Sequence, residues 1–221
     1  LNDVDRSSSS SDWTTSDVGK PLDVSGFSSA AITDPLPQTV KAPASDQLEL
    51  APLSEILPVV DNYFRNYNAI IPLFDETAFM RMLLDWFSGS TKRTMISWAA
   101  INVVLAISYR VVEGRAIDDP AFAQCTQNVR SVMSDLMMQG KDLMGLQVLL
   151  GMVILFHGSP DFQLAVVLTA SVVRLTQSLG LHLKQAQAGL SRAEKAHQRR
   201  LFWLSYIYDK VRYGHWLFHL G

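Results

Sequence analysis

The chain is expected to fold as all-α, with antiparallel helix pairs forming a helical bundle or short solenoid behind a disordered N-terminal segment. Three observations carry that expectation. Apolar residues recur at spacings of three and four from Leu53 onward, helix caps fall at the ends of those stretches, and no run alternates with the strand period of two. With 48% hydrophobic and 18% charged residues in 221, the chain can bury one sizeable core, hence one domain with appendages.

Residues 1–47 read as a disordered acidic, Ser-rich linker. Seven aspartates against Arg6, Lys20 and Lys41 give this segment a net charge of −4 and leave +2 for the rest. It has too little apolar surface to offset chain entropy. The single hydrophobes Trp13, Leu22 and Phe27 also suit an activation-type tail, although a solvated linker is the simpler reading.

The domain proper is expected over 48–210. Leu53, Ile56, Leu57, Val60, Phe64 and Tyr67 form one stripe of a first helix, with Pro58 either kinking it or marking its first turn. Residues 70–74 form a bend, Asp75 caps a helix through Phe87, and Gly89 ends it. A central helix runs from about Thr91 to Val112, apolar on most sides. Asp119 followed by Pro120 opens a helix through Met138, stopped by Gly140. Helices at 142–157 and 161–179, joined by Gly158-Ser159-Pro160, are antiparallel neighbours, and Gly180 caps the second. Ser191 and Glu194 make a capping box for the last helix, whose apolar face carries Leu201, Trp203, Leu204, Ile207 and Tyr208. Trp203 is expected in the core.

Composition also excludes. A net charge of −2 and a pI near 6.2 give no bulk basic field for nucleic acid. Cys125, the one cysteine, rules out an intrachain disulfide or a cysteine-rich zinc motif within these residues and reads as a small buried hydrophobe. The longest apolar windows, 98–107 and 143–156, are shorter than the ~20 residues of a membrane span, are interrupted by Asn102 and Gln147, and are read as core helices. No secretory signal is recognisable. His215 and His219 have the spacing of a helical metal pair but lack the glutamate of a zinc protease motif. Asp118-Asp119 is better explained by capping than by a magnesium site. Arg192, Lys195 and Arg199 share a face that is either solvated or meets an acidic partner or phosphate. Arg174 either pairs with Asp209 or Glu194 in the interior, or joins Gln163, Ala170, Gln177 and Ser178 on a strip facing water.

Four stretches occur in a telling order: VDNYFRNYNAIIPLFDETAF at 60–79, the tryptophan helix at Trp98, 168–182 with Arg174, Gln177 and Leu179-Gly180-Leu181-His182, and Arg199-Arg200-Leu201-Phe202-Trp203 with Tyr206 and Asp209. In that order they resemble the middle homology region of fungal zinc-cluster transcription factors, the xylanolytic-activator type of regulatory domain. The resemblance implies structural roles for Pro72, Phe79, Arg174, Gly180, His182, Arg200, Trp203 and Asp209. It implies a nuclear regulator of RNA polymerase II transcription, with no catalytic, metal or DNA-contacting residue in this chain.

Zinc is implied only for a DNA-binding module outside these residues, and DNA is a partner only through it. Transcriptional co-regulators, a small-molecule effector and a homodimer of the longer protein are the other partners implied; a membrane is not. Two features depart from the family. No six-cysteine segment is present, and after Lys210 the residues 211–221 do not continue the family pattern, so they are expected to be an aberrant tail. Val211-Arg212 codons can spell a splice donor, and intron readthrough is the expected cause. The start at Leu1 likewise suggests a fragment, whose uncovered apolar surfaces would favour aggregation. A helical interaction scaffold is the alternative function, although no repeat period supports it, and an all-α enzyme is the third.

Overall fold

In the computed structural model the described residues are 48–89, 93–139, 141–157, 159, 162–183 and 189–218, with side chains followed through Lys210. All belong to one unit, Val40–Gly221; the acidic segment 1–47 lies outside them. Eight α-helices are present among these residues, with no strand: α1 (Leu53–Asn62), α2 (Glu76–Ser88), α3 (Met95–Ile107), α4 (Pro120–Ser131), α5 (Met133–Gln139), α6 (Leu143–His157), α7 (Phe162–Ser178) and α8 (Arg192–Phe218).

The centre is α3 against α6. Trp98 to Ile107 are buried without a break, as are Gly145 to Val153, because these two helices are covered on nearly every side. Together with the wider turn that follows, Met95–Val112 is long and apolar enough to cross a membrane by length and composition. Its apolar surface is instead covered by α1, α4 and α6, as a core helix requires. Gly151 permits the close approach: a Cβ there would collide with Val103 Cγ1 and press on Leu73 Cδ2. α7 lies along α6, and α8 packs on both through Leu201 and Ser205. Thr176 Oγ1 donates to Ser205 Oγ at 3.2 Å, a buried hydroxyl link between α7 and α8.

Caps behave as chemistry demands. Asp75 accepts from Ala78 N, Asp119 from Ala121 N and Phe122 N, and Ser191 and Glu194 bond each other's backbone N–H. The bonds from Phe122 N above all hold the Asp119 carboxyl below its usual range. Gly89 and Gly180 end their helices at φ 67°, where a Cβ would be strained.

Several boundaries differ from expectation. α1 continues as a wider, five-residue-spaced helical turn, Tyr63–Asn68, which turns Tyr63 into the core beside Phe64 and Tyr67 and leaves Leu57 at the surface. Pro58 therefore lies inside α1, past its first turn. The central helix begins at Met95 on a Thr94 cap; Thr91 lies outside the described residues. The helix expected through Met138 breaks at Val132 (φ −107°, ψ 2°) into α4 and α5. Gly140, Gly158, Pro160 and Asp161 also lie outside the described residues.

Candidate functional site

The turn between α1 and α2 is built by a single side chain. Asn68 Oδ1 accepts from Leu73 N and Phe74 N, both at 3.0 Å, and from the Tyr63 hydroxyl at 3.2 Å; its Nδ2 donates to Phe74 O at 2.9 Å. These bonds pin the chain either side of Pro72, so that Leu73, Phe74 and Phe79 enter the core while Ile70 remains exposed. Phe64, Phe74 and Phe79 then pack ring on ring, with centroids 5.3 Å apart from Phe79 to each of the others.

On the far side of this bend the N-terminal ends of α2, α6 and α8 meet around a cleft of about 440 Å³. Its walls are largely apolar, from Phe74, Phe79, Leu143, Met144 and Leu190, with Asp75 and Glu194 among its polar lining. Among the described residues no lysine or arginine lines it. The volume falls in the range of small-molecule sites.

Gln147 of α6, only 5% exposed, also lines this cleft. Its Nε2 donates to Leu73 O at 2.9 Å and lies 2.9 Å from His197 Nε2 of α8. A backbone carbonyl can only accept, which fixes the amide orientation; the second N–H then faces His197, so His197 Nε2 is the acceptor and its proton sits on Nδ1. Burial lowers the His197 pKa from its ordinary 6.5, opposed by Asp75 and reinforced by Arg200, in keeping with a neutral ring. Gln147 Oε1 has no hydrogen-bond partner among the described residues. It is not sealed from solvent and opens into the cleft.

Four of the residues singled out by sequence fall in two places. Pro72 and Phe79 belong to the bend beside the cleft. His182 and Asp209 line a second cleft of about 570 Å³ between α7 and α8, with Gln177, Phe202 and Tyr206. Gly180 ends α7 nearby in sequence, while Arg200 lies exposed on α8.

Two expectations are corrected. Trp203 is 52% exposed, not core: Leu201, Ser205 and Tyr208 occupy the inward face of α8, and the helical period carries Trp203 outward to pack edge-on with Phe202 and Tyr206. Ile207, expected on the same apolar face, is exposed as well. Arg174 is exposed beside Gln163, Ala170, Gln177 and Ser178, so the strip facing water is the correct alternative and neither Asp209 nor Glu194 pairs with it. Arg192, Lys195 and Arg199 share the outer side of α8, with Lys195 half-buried.

Cys125 is buried, and burial pushes its thiol up to about 12, which makes it a poor nucleophile. Among the described residues no three His, Cys, Asp or Glu side chains gather as a metal site. The His215 side chain and His219 lie outside the described residues.

Sequence reasoning missed Asn68, His197 and the meeting of Tyr67, in the turn after α1, with Tyr208 of α8. It saw Gln147 only as a polar interruption of an apolar helix. An amide among buried aliphatics is nevertheless the signal available, because such a group must find partners.

These features define the class: an all-helical domain whose buried polar side chains mostly tie helices together and which presents clefts at helix ends. A family model for the fungal specific transcription factor domain matches residues 60–213, and the chain belongs to that family. It is 34% identical to an ABC-transporter-regulating transcription factor of Aspergillus oryzae and 33% identical to one of Aspergillus fumigatus, over 73% of this chain and 18% of each relative. It is 28% identical to the fusaridione A cluster transcription factor of Fusarium heterosporum, over 69% of this chain and 30% of that protein. The chain thus spans under a third of the length of the curated relatives it matches. No solved structure matches it.

Proposed function

We propose that this chain is the regulatory domain of a nuclear transcription factor, modulating RNA polymerase II transcription while a zinc-containing module elsewhere in the protein contacts DNA. Membership of the family across 60–213 carries this reading. The charge supports it: a pI near 6.2 suits a domain that acts on protein or effector partners and leaves DNA to another module. In this reading the chain has no catalytic role and no cofactor of its own, and the longer protein works as a homodimer. The names of the two Aspergillus relatives point to ABC-transporter genes as the class of target.

The test is to fuse all 221 residues to a heterologous DNA-binding module in a fungal host and measure output from a reporter carrying its site. A change in output relative to the module alone, in either direction, supports regulation. Unchanged output from a nuclear, intact fusion overturns it.

A further inference from the structure

Buried amides in a helix core normally satisfy both their ends. Gln147 satisfies one. Its nitrogen is held by Leu73 O and His197 Nε2, so the side chain cannot rotate to bring Oε1 to a protein donor without breaking two bonds. The oxygen is therefore a fixed acceptor at the wall of an apolar cleft. His197, whose Nε2 accepts from Gln147, keeps its Nδ1–H without a protein acceptor among the described residues.

The cleft also discriminates by charge. Asp75 and Glu194 line it, each already committed to capping its helix, and among the described residues no lysine or arginine lines it. An anion entering would meet two carboxylates with no cationic side chain among the described lining residues to offset them, a costly arrangement in a partly desolvated site.

We propose that the cleft at the N-terminal ends of α2, α6 and α8 binds an uncharged, apolar small molecule bearing an N–H donor, of the aryl amide class. The ligand N–H donates to Gln147 Oε1, its rings lie against Phe74, Phe79 and Met144, and its carbonyl accepts from His197 Nδ1–H. Because the cleft joins the α1–α2 bend to α6 and α8, occupancy stiffens the contact between those elements. Calling the ligand an effector rests on the regulatory reading above; the binding does not.

Benzanilide serves as the probe, with phenyl benzoate, the same shape lacking the N–H, and 4-phenylbenzoate, an anion, as comparators. Binding to the full chain is measured by calorimetry and ligand-observed NMR, with circular dichroism and a cooperative melt establishing that each variant is folded. Benzanilide is expected to bind at least about tenfold more tightly than the ester, since a site built around a hydrogen bond rejects the analogue that lacks it. The anion is expected to bind weakest. Gln147→Leu erases the amide–ester difference. Ala193→Trp, at an exposed position of the cleft wall, abolishes binding without touching the amide. Equal binding of amide and ester, undiminished binding to Ala193→Trp, or no binding to a folded chain each overturns the proposal. If benzanilide binds as expected while the reporter fusion is inert, regulation fails and the site stands; the reverse result removes the site alone.

Discussion

Two amides flank the bend at 70–75 and behave in opposite ways. Asn68, on the α1 side, uses both ends: its oxygen takes three donors and its nitrogen one acceptor. Gln147, on the α6 side, uses its nitrogen twice and leaves its oxygen facing a cleft. The first is a closed structural device; the second has capacity to spare. An internally saturated polar group reports on the fold, whereas a fixed, half-used one at a cleft wall reports on something that enters from outside.

The comparison breaks most visibly at Asn68. Asn68→Ala strands the Phe74 N–H, the Phe74 carbonyl and the Tyr63 hydroxyl, while Leu73 N keeps its bond to Ile71 O, so a loss of about 3 kcal/mol is expected from denaturant unfolding. A loss under about 1 kcal/mol would mean that water replaces the side chain and that the bend does not depend on it.

Gly151→Ala probes the seam that carries Gln147 to the bend. Its Cβ collides with Val103, and overpacking of this kind costs about 1 to 3 kcal/mol by thermal or chemical melt. Gln147→Leu comes next. Removing a group that is only half used, and filling the space with an isosteric apolar side chain, is expected to cost about 1 kcal/mol, clearly less than Asn68→Ala. A larger cost for Gln147→Leu would reverse the order and erase the distinction between the two amides.

The pH dependence sharpens the same contrast, because Gln147 donates to a neutral imidazole while Asn68 has no titrating acceptor. The folded pKa of His197 lies below the ordinary 6.5, so the unfolded chain binds the proton more readily. Stability therefore rises with pH from the folded pKa toward about 6.5 and is lost as pH falls through that window. Asp75 raises the folded pKa and narrows the window, and Arg200 lowers it and widens the window. His197→Gln should flatten the curve there, measured as unfolding free energy against pH, while leaving the slope elsewhere unchanged. The smallest effect is expected far from the bend: Trp203→Ala, half-exposed on α8, should cost well under the ~3 kcal/mol of a buried aromatic.

Much of the helix order was legible because capping and helical periodicity are local. Asp75, Asp119, Ser191, Glu194 and Gly180 each act within four residues of themselves, so spacing alone locates the ends they define. The stretch at 98–107, apolar but for Asn102, identified a core helix for the same reason. Errors came where period was not enough. The wide turn at Tyr63–Asn68 added Tyr63 to a buried stripe that keeps Ile56, Val60, Phe64 and Tyr67 but not Leu57. On α8, two aromatic-rich faces competed by period, and Leu201 with Ser205 won the inward side because close packing on α6 and α7 favours smaller side chains there.

By itself the sequence determined the helical class, the element order, the caps and, through the order of its motifs, the family. Only the tertiary structure decided that Asn68 builds the bend, that Gln147 meets Leu73 and His197, and that Trp203 and Arg174 face water. The first set depends on interactions between residues a turn apart, which a linear pattern records. The second joins α6 to residues 74 and 50 positions away, and the partner of a buried amide across such distances is chosen by how helices dock, information that no local spacing contains.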